Sequence, residues 1–212
     1  MGDIPVPSIV ANALIVVFCG VGWLQVLLRG DKDARNLSQK GWKSLRFFTV
    51  LSNLFSCVVA VIYLAAGMTS DAGLPNWVLA LKLMATTSVA LTFLTVLVFL
   101  GPRLGWAKMY SGGNFWLHLV LPLIAIFDCC AFVPLDVLPF NATFLSLIPV
   151  VLYGVWYIGT VLVKGAKGSA TDRDGIAYDF YGFFTWGMRG LVVVCAAMLA
   201  ATWITSWLIW LV

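Results

Sequence analysis

Glutamate is absent from this chain of 212 residues, charge of either sign is scarce at 10%, and histidine occurs once. A soluble domain carries about 25% charged and about 45–50% apolar residues. Here 62% are apolar and the mean hydropathy is +0.99, which excludes a soluble globular fold. One histidine, with no Cys-x-x-Cys spacing, excludes a four-ligand zinc site or a bis-histidine haem built within the chain, and no metal or cofactor is expected. The five cysteines, Cys19, Cys57, Cys129, Cys130 and Cys195, all fall in apolar stretches, so no disulfide framework is implied. Apolar burial also makes them poor nucleophiles. What lies between the apolar stretches is too short for a second domain, an ATP-binding module or a nucleic-acid reader.

What is present is enough hydrocarbon for six spans of about 20 residues each. Charge-free windows place them at Ile4 to Leu28, Phe47 to Ser70, Leu83 to Pro102, Met109 to Phe127, Val137 to Val163 and Gly190 to Val212. The third extends back to about Trp77 with Lys82 inside it, and the fourth runs past Asp128 to about Pro134. The expected fold is therefore all-α, a single bundle of six transmembrane helices over residues 1–212. The first span has Asp3 where a signal peptide would have a basic segment, and it is long enough to cross. Ten tryptophans suit interfacial belts.

Lys and Arg set the orientation. The first connection holds Arg29, Lys32, Arg35, Lys40, Lys43 and Arg46, the third Arg103 and Lys108, the fifth Lys164, Lys167 and Arg173; the second and fourth hold none. The expected protein is a multi-pass cell-membrane protein with these basic connections cytoplasmic and both termini outside. Lys82 and Asp128 then lie at similar depth on neighbouring helices, and pairing would remove most of the penalty of burying either charge. Asn141-Ala-Thr143 matches a glycosylation pattern so close to the membrane that packing is the better reading.

The informative residues are polar ones inside spans. Thr49, Ser52, Asn53 and Ser56 recur at helical spacing and form one stripe on the second helix. Such a stripe commonly ties helices together. The single histidine, His118, lies four residues past Asn114 on the fourth helix, and an intramembrane ionisable group is a functional candidate by default. Thr49 is about 4.5 Å of helix rise beyond Arg46 and His118 about 6 Å beyond Asn114, so both sit at one shallow depth, where water is available. A neutral imidazole there could take the proton of a hydroxyl attacking an acyl carbon. Arg46 and Arg189, at cytoplasmic helix ends, anchor the bundle and are suited to holding a lipid carboxylate or phosphate. Asp128 stands about 15 Å of rise beyond His118, too far for a direct triad contact.

Phe-Phe-Thr49-Val-Leu-Ser52-Asn53, followed two helices later by His118, Pro122 and Asp128, resembles the androgen-induced family of six-span membrane proteins, which includes the androgen-dependent regulator of tissue-factor-pathway inhibitor and bacterial relatives. Tyr178-Asp179-Phe180 is similar to the family's Tyr-Pro-Phe element, with Asp in place of Pro. The resemblance covers essentially the whole chain in length and span number. It implies an intramembrane threonine hydrolase with Thr49 as nucleophile and His118 as base, cleaving lipid esters such as fatty acid esters of hydroxy fatty acids. Arg46, Ser52, Asn53, Asp128 and Arg189 are the surrounding candidates for substrate binding or support. Ser52, Asn53 and nearby tyrosines are candidate oxyanion donors, and no spacing rule selects among them. The expected partners are membrane lipids and an ester substrate; no nucleic acid is expected, and the oligomeric state stays open. The competing reading is a small transporter or channel in which Thr49, Ser52, Asn53, His118 and Asp128 line a polar path and His118 relays protons. A third is an assembly factor that uses the stripe as helix glue.

Overall fold

A computed structural model describes residues 4–28, 41–69, 73–165, 177–184 and 186–212. Arg29, Lys32, Arg35, Lys40, Lys167 and Arg173, used above for orientation, lie outside these described residues. Six helices are long and apolar enough to cross a membrane. They are α1 (Val6–Leu28), α2 (Phe48–Thr69), α3 (Asn76–Leu104), α4 (Gly113–Phe132), α5 (Phe140–Lys164) and α6 (Gly187–Leu211). The chain is an all-α, multi-pass membrane bundle, and among the described residues no strand forms. Such segments become helices because a bilayer offers no partner to an unpaired peptide group.

The longest span, α3, is also the most buried and packs on α2, α4 and α6. The fourth span begins at Gly113, not Met109, because Trp106–Met109 forms a separate turn and the chain reverses at Gly112, whose φ of 54° suits a residue without Cβ. Where α1 meets α4, a Cβ on Gly113 would stand 2.6 Å from the Gly22 carbonyl oxygen, so glycine lets the two backbones touch.

Three spans widen locally into π turns, and in α3 and α4 the turn lies inside the span and precedes a proline. The N–H of Gly101 bonds to the Val96 carbonyl, and that of Leu121 to the Trp116 carbonyl, five residues back in both cases. Proline follows each closing residue, Pro102 and Pro122. In α register a proline ring collides with the carbonyl four residues before it, and the wider turn relieves that contact. His118 sits inside the second π turn.

Charge is buried at the end of the bundle opposite the basic connections. Lys82 Nζ lies 2.7 Å from Asp128 Oδ2, the pairing that burial requires. Ser8 Oγ donates to Asp128 Oδ1 over 2.6 Å, and Asn12 Nδ2 to Oδ2 over 2.8 Å. Lys82 also donates to Asn12 Oδ1 at 2.5 Å and stands 5.1 Å from the Tyr63 ring centroid. The pair is thus hydrogen-bonded on both partners and joins α1, α3 and α4. At the same end, Thr143 is fully buried, donates to the Phe140 carbonyl and accepts from Trp203 Nε1, so it packs α5 against α6.

Candidate active site

At the basic end, a 3₁₀ turn, Gly41–Arg46, leads into α2. The first N–H groups of a helix have no partner within it. Phe48, the first residue of α2, donates its N–H to Tyr181 Oη over 3.1 Å, and Tyr153 donates to the Arg46 carbonyl over 2.7 Å. Thr49 follows directly. Tyr181 belongs to the described segment 177–184 between α5 and α6, which is shaped by Asp179. Its carboxylate accepts from Tyr157 Oη at 2.5 Å and from the N–H groups of Phe183 and Phe184 at 3.0 Å each. The residue that departs from the resembled Tyr-Pro-Phe element therefore organises this strap. Burial pushes the Tyr181 phenol above its ordinary range, so the hydroxyl stays protonated at neutral pH.

Thr49 lines a cavity of about 230 Å³ bounded by α2, α3, α5, α6 and the strap. Its other walls are almost wholly hydrocarbon, with Thr92, Thr95, Tyr153, Tyr157, Tyr181 and Cys195 as the remaining polar or sulfur-bearing members. Among the described residues no charged side chain lines it. A second apolar cavity, of about 660 Å³, shares Phe48 and Tyr153 with the first and reaches Ser52, Leu81 and Pro149.

The polar stripe of α2 divides its tasks. Ser52 Oγ bonds to the Thr49 carbonyl at 3.1 Å and meets Thr92 Oγ1 at 3.0 Å. Asn53 is fully buried, and its Nδ2 donates to the Thr49 carbonyl at 2.6 Å and to the Leu117 carbonyl at 3.1 Å. Both amide hydrogens are spent, so Asn53 is not an oxyanion donor. Among the described residues the Thr49 hydroxyl makes no hydrogen bond.

Leu117 is available to Asn53 for a reason that begins with Pro122. The Leu121 N–H, its α-helical donor, is taken by Trp116, and the residue after that has no N–H to give. The carbonyl freed by the π turn is satisfied from α2. Next to it, His118 is buried at 7% exposure, with Nδ1 2.8 Å from the Met109 carbonyl oxygen. A carbonyl only accepts, so Nδ1 carries the hydrogen and, in the neutral ring, Nε2 presents a lone pair.

The structure separates some residues that the sequence grouped. His118 does not line the cavity and makes no hydrogen bond to Thr49; the link runs through Asn53 and Leu117. Asp128 is committed to Ser8, Asn12 and Lys82, and among the described residues no hydrogen bond joins that cluster to the stripe of α2. Arg189 is exposed at the start of α6, Arg46 ends the 3₁₀ turn, and neither lines the cavity. The sequence reading did not single out Tyr153, Tyr157 or Tyr181, and it named Asp179 only as the residue in place of proline. All five cysteines are free.

Compared with protein-family models, with curated proteins and with solved structures, the chain matches none.

Proposed function

We propose that this protein is an intramembrane ester hydrolase acting on lipid esters, of the kind the resemblance to the androgen-induced family implies. The observation that carries the reading is Thr49: a hydroxyl without a hydrogen-bond partner among the described residues, at the wall of an apolar cavity, on a helix whose next turn is bonded beside a buried histidine. Apolar walls suit the acyl part of a lipid. With the basic connections in the cytoplasm, the site lies at the cytoplasmic leaflet, where water reaches the second half-reaction.

In this mechanism Thr49 Oγ1 attacks the ester carbonyl while its proton passes through a bridging water to His118 Nε2, which stands outside the cavity lining. The carbonyl oxygen becomes an oxyanion stabilised by the Tyr181 hydroxyl, which lines the same cavity and is fixed beside Thr49 by the Phe48 N–H. Collapse of the tetrahedral species breaks the ester C–O bond, and the leaving alkoxide takes the proton from His118. Water then attacks the acyl-threonine, giving up a proton to Nε2; that proton returns to Thr49 Oγ1 as the carboxylic acid leaves.

The arrangement favours hydrolysis over transport, because the polar groups fall into two bonded clusters and the cavity is lined by hydrocarbon. The test is incubation of the purified protein with a fluorophosphonate probe, followed by mass spectrometry. Labelling at Thr49 that His118→Ala abolishes supports the reading; labelling elsewhere, or none in a protein that hydrolyses esters, overturns it.

A further inference from the structure

We infer that the cavity beside Thr49 seats the uncharged acyl chain of the substrate and that Gly154 sets how long a chain it takes. This rests on the hydrolase reading for the ester chemistry alone. The cavity runs along the helices: its α5 members extend from Val150 to Ile158, about 12 Å of helix rise. A carboxylate, phosphate or ammonium group inside it would meet no counter-charge among the described residues. A hydrocarbon chain loses nothing there.

The cavity is also open towards the bilayer. Phe99 on α3, Val151 and Val155 on α5 and Leu199 on α6 line it and are at the same time exposed, Val155 to 68%. Exposed apolar residues in the middle of a span face lipid, so a chain can pass sideways from the membrane into the space below Thr49.

Gly154 lies in α5 between Tyr153 and Val155 and lines this space. A Cβ built on it meets no atom within 4 Å, and its backbone is helical. Neither packing nor conformation demands glycine at a position where it weakens a helix relative to alanine. What the missing side chain does is keep cavity volume open. Gly159 provides the matched comparison: it lies on the same helix, a Cβ there also meets nothing within 4 Å, and it does not line the cavity.

The experiment compares the parent with Gly154→Leu and Gly159→Leu, each purified in detergent and checked for an unchanged melting transition. Rates are measured on butanoyl, octanoyl and hexadecanoyl p-nitrophenyl esters. Gly154→Leu should lower the hexadecanoyl rate relative to the butanoyl rate about tenfold or more, since misfit of even one methylene in an apolar pocket has an effect of that size. Gly159→Leu should leave the ratio unchanged. An unchanged ratio in Gly154→Leu, or an equal change in both, overturns the inference. A second arm reads binding without turnover, by photolabelling of Thr49→Ala with a hexadecanoyl ester bearing a terminal diazirine. Adducts should map to cavity residues such as Val96, Phe99, Val151 and Met198, be lost when Gly154→Leu is added, and persist when Gly159→Leu is added. Adducts spread over outer helix faces, indifferent to Gly154→Leu, overturn the inference. If the parent hydrolyses no ester while these adducts form as described, the hydrolase reading fails and the acyl seat stands.

Discussion

Asn53 on α2 reaches the Leu117 carbonyl on α4 over 3.1 Å, and that hydrogen bond ties the helix of the proposed nucleophile to the helix of the proposed base. Truncation to Asn53→Ala removes the donor to both the Thr49 and Leu117 carbonyls. It should cost about 1–3 kcal/mol of stability, the usual penalty for stranding buried polar groups. It should also lower ester turnover while fluorophosphonate labelling at Thr49 slows in parallel. Equal loss of melting temperature with no change in labelling rate would show that Asn53 only holds helices together.

The pairing of Lys82 with Asp128 should appear as a coupling energy. Lys82→Met alone leaves a buried carboxylate without its cation and should cost about 3 kcal/mol or more. The double variant Lys82→Met with Asp128→Asn should cost less than the sum of the singles. Thermal unfolding in detergent reads this directly; strict additivity would show that the two groups act independently.

Thr49 and His118 should behave as one unit in catalysis. Thr49→Ala and His118→Ala should each abolish turnover, and the double variant should be no worse than either. Thr49→Ser keeps the hydroxyl and should retain activity. Cys57→Ala, Cys129→Ala and Cys130→Ala should remain near the parent rate. Full activity in a folded Thr49→Ala protein would reduce the α2 stripe to packing.

The strap offers a test of the oxyanion assignment. Tyr181→Phe keeps the ring and removes the hydroxyl, and should lower turnover about a hundredfold with little change in KM. Asp179→Ala removes the acceptor of Tyr157 Oη and of two backbone N–H groups, so it should loosen the whole segment, raise its cleavage by added protease and lower turnover as well. Tyr181→Phe should leave protease resistance nearly unchanged, which separates chemistry from scaffolding.

The six spans, the Lys82 and Asp128 pairing and the polar face of α2 were legible in the sequence because a bilayer penalises every unpaired charge and amide in the same way. Those rules act residue by residue and survive without coordinates. The Asn53 contact was not legible, although its cause was: Pro122 deprives a carbonyl of its donor, but which neighbouring side chain supplies the replacement depends on helix packing. The roles of Tyr153, Tyr157, Asp179 and Tyr181 escaped for a related reason. They lie at the end of a span and just beyond it, where hydropathy is uninformative and long-range contacts decide. Asp128 was grouped with Thr49 through the resemblance and Arg189 through its place at a basic helix end, and the structure gives them other surroundings.

The buried pair also constrains how the protein is made. Lys82 leaves the ribosome before Asp128, so for the length of a helix its ammonium has no carboxylate to meet. Asn12, already synthesised on α1, is the acceptor at hand, and in the finished bundle its Oδ1 still takes a hydrogen bond from Lys82. Insertion of the third helix should therefore depend on the first, and its release into lipid on the arrival of the fourth. A chain truncated between the third and fourth helices would hold an uncompensated cation in hydrocarbon, which marks such a fragment for retention at the insertion site or for degradation.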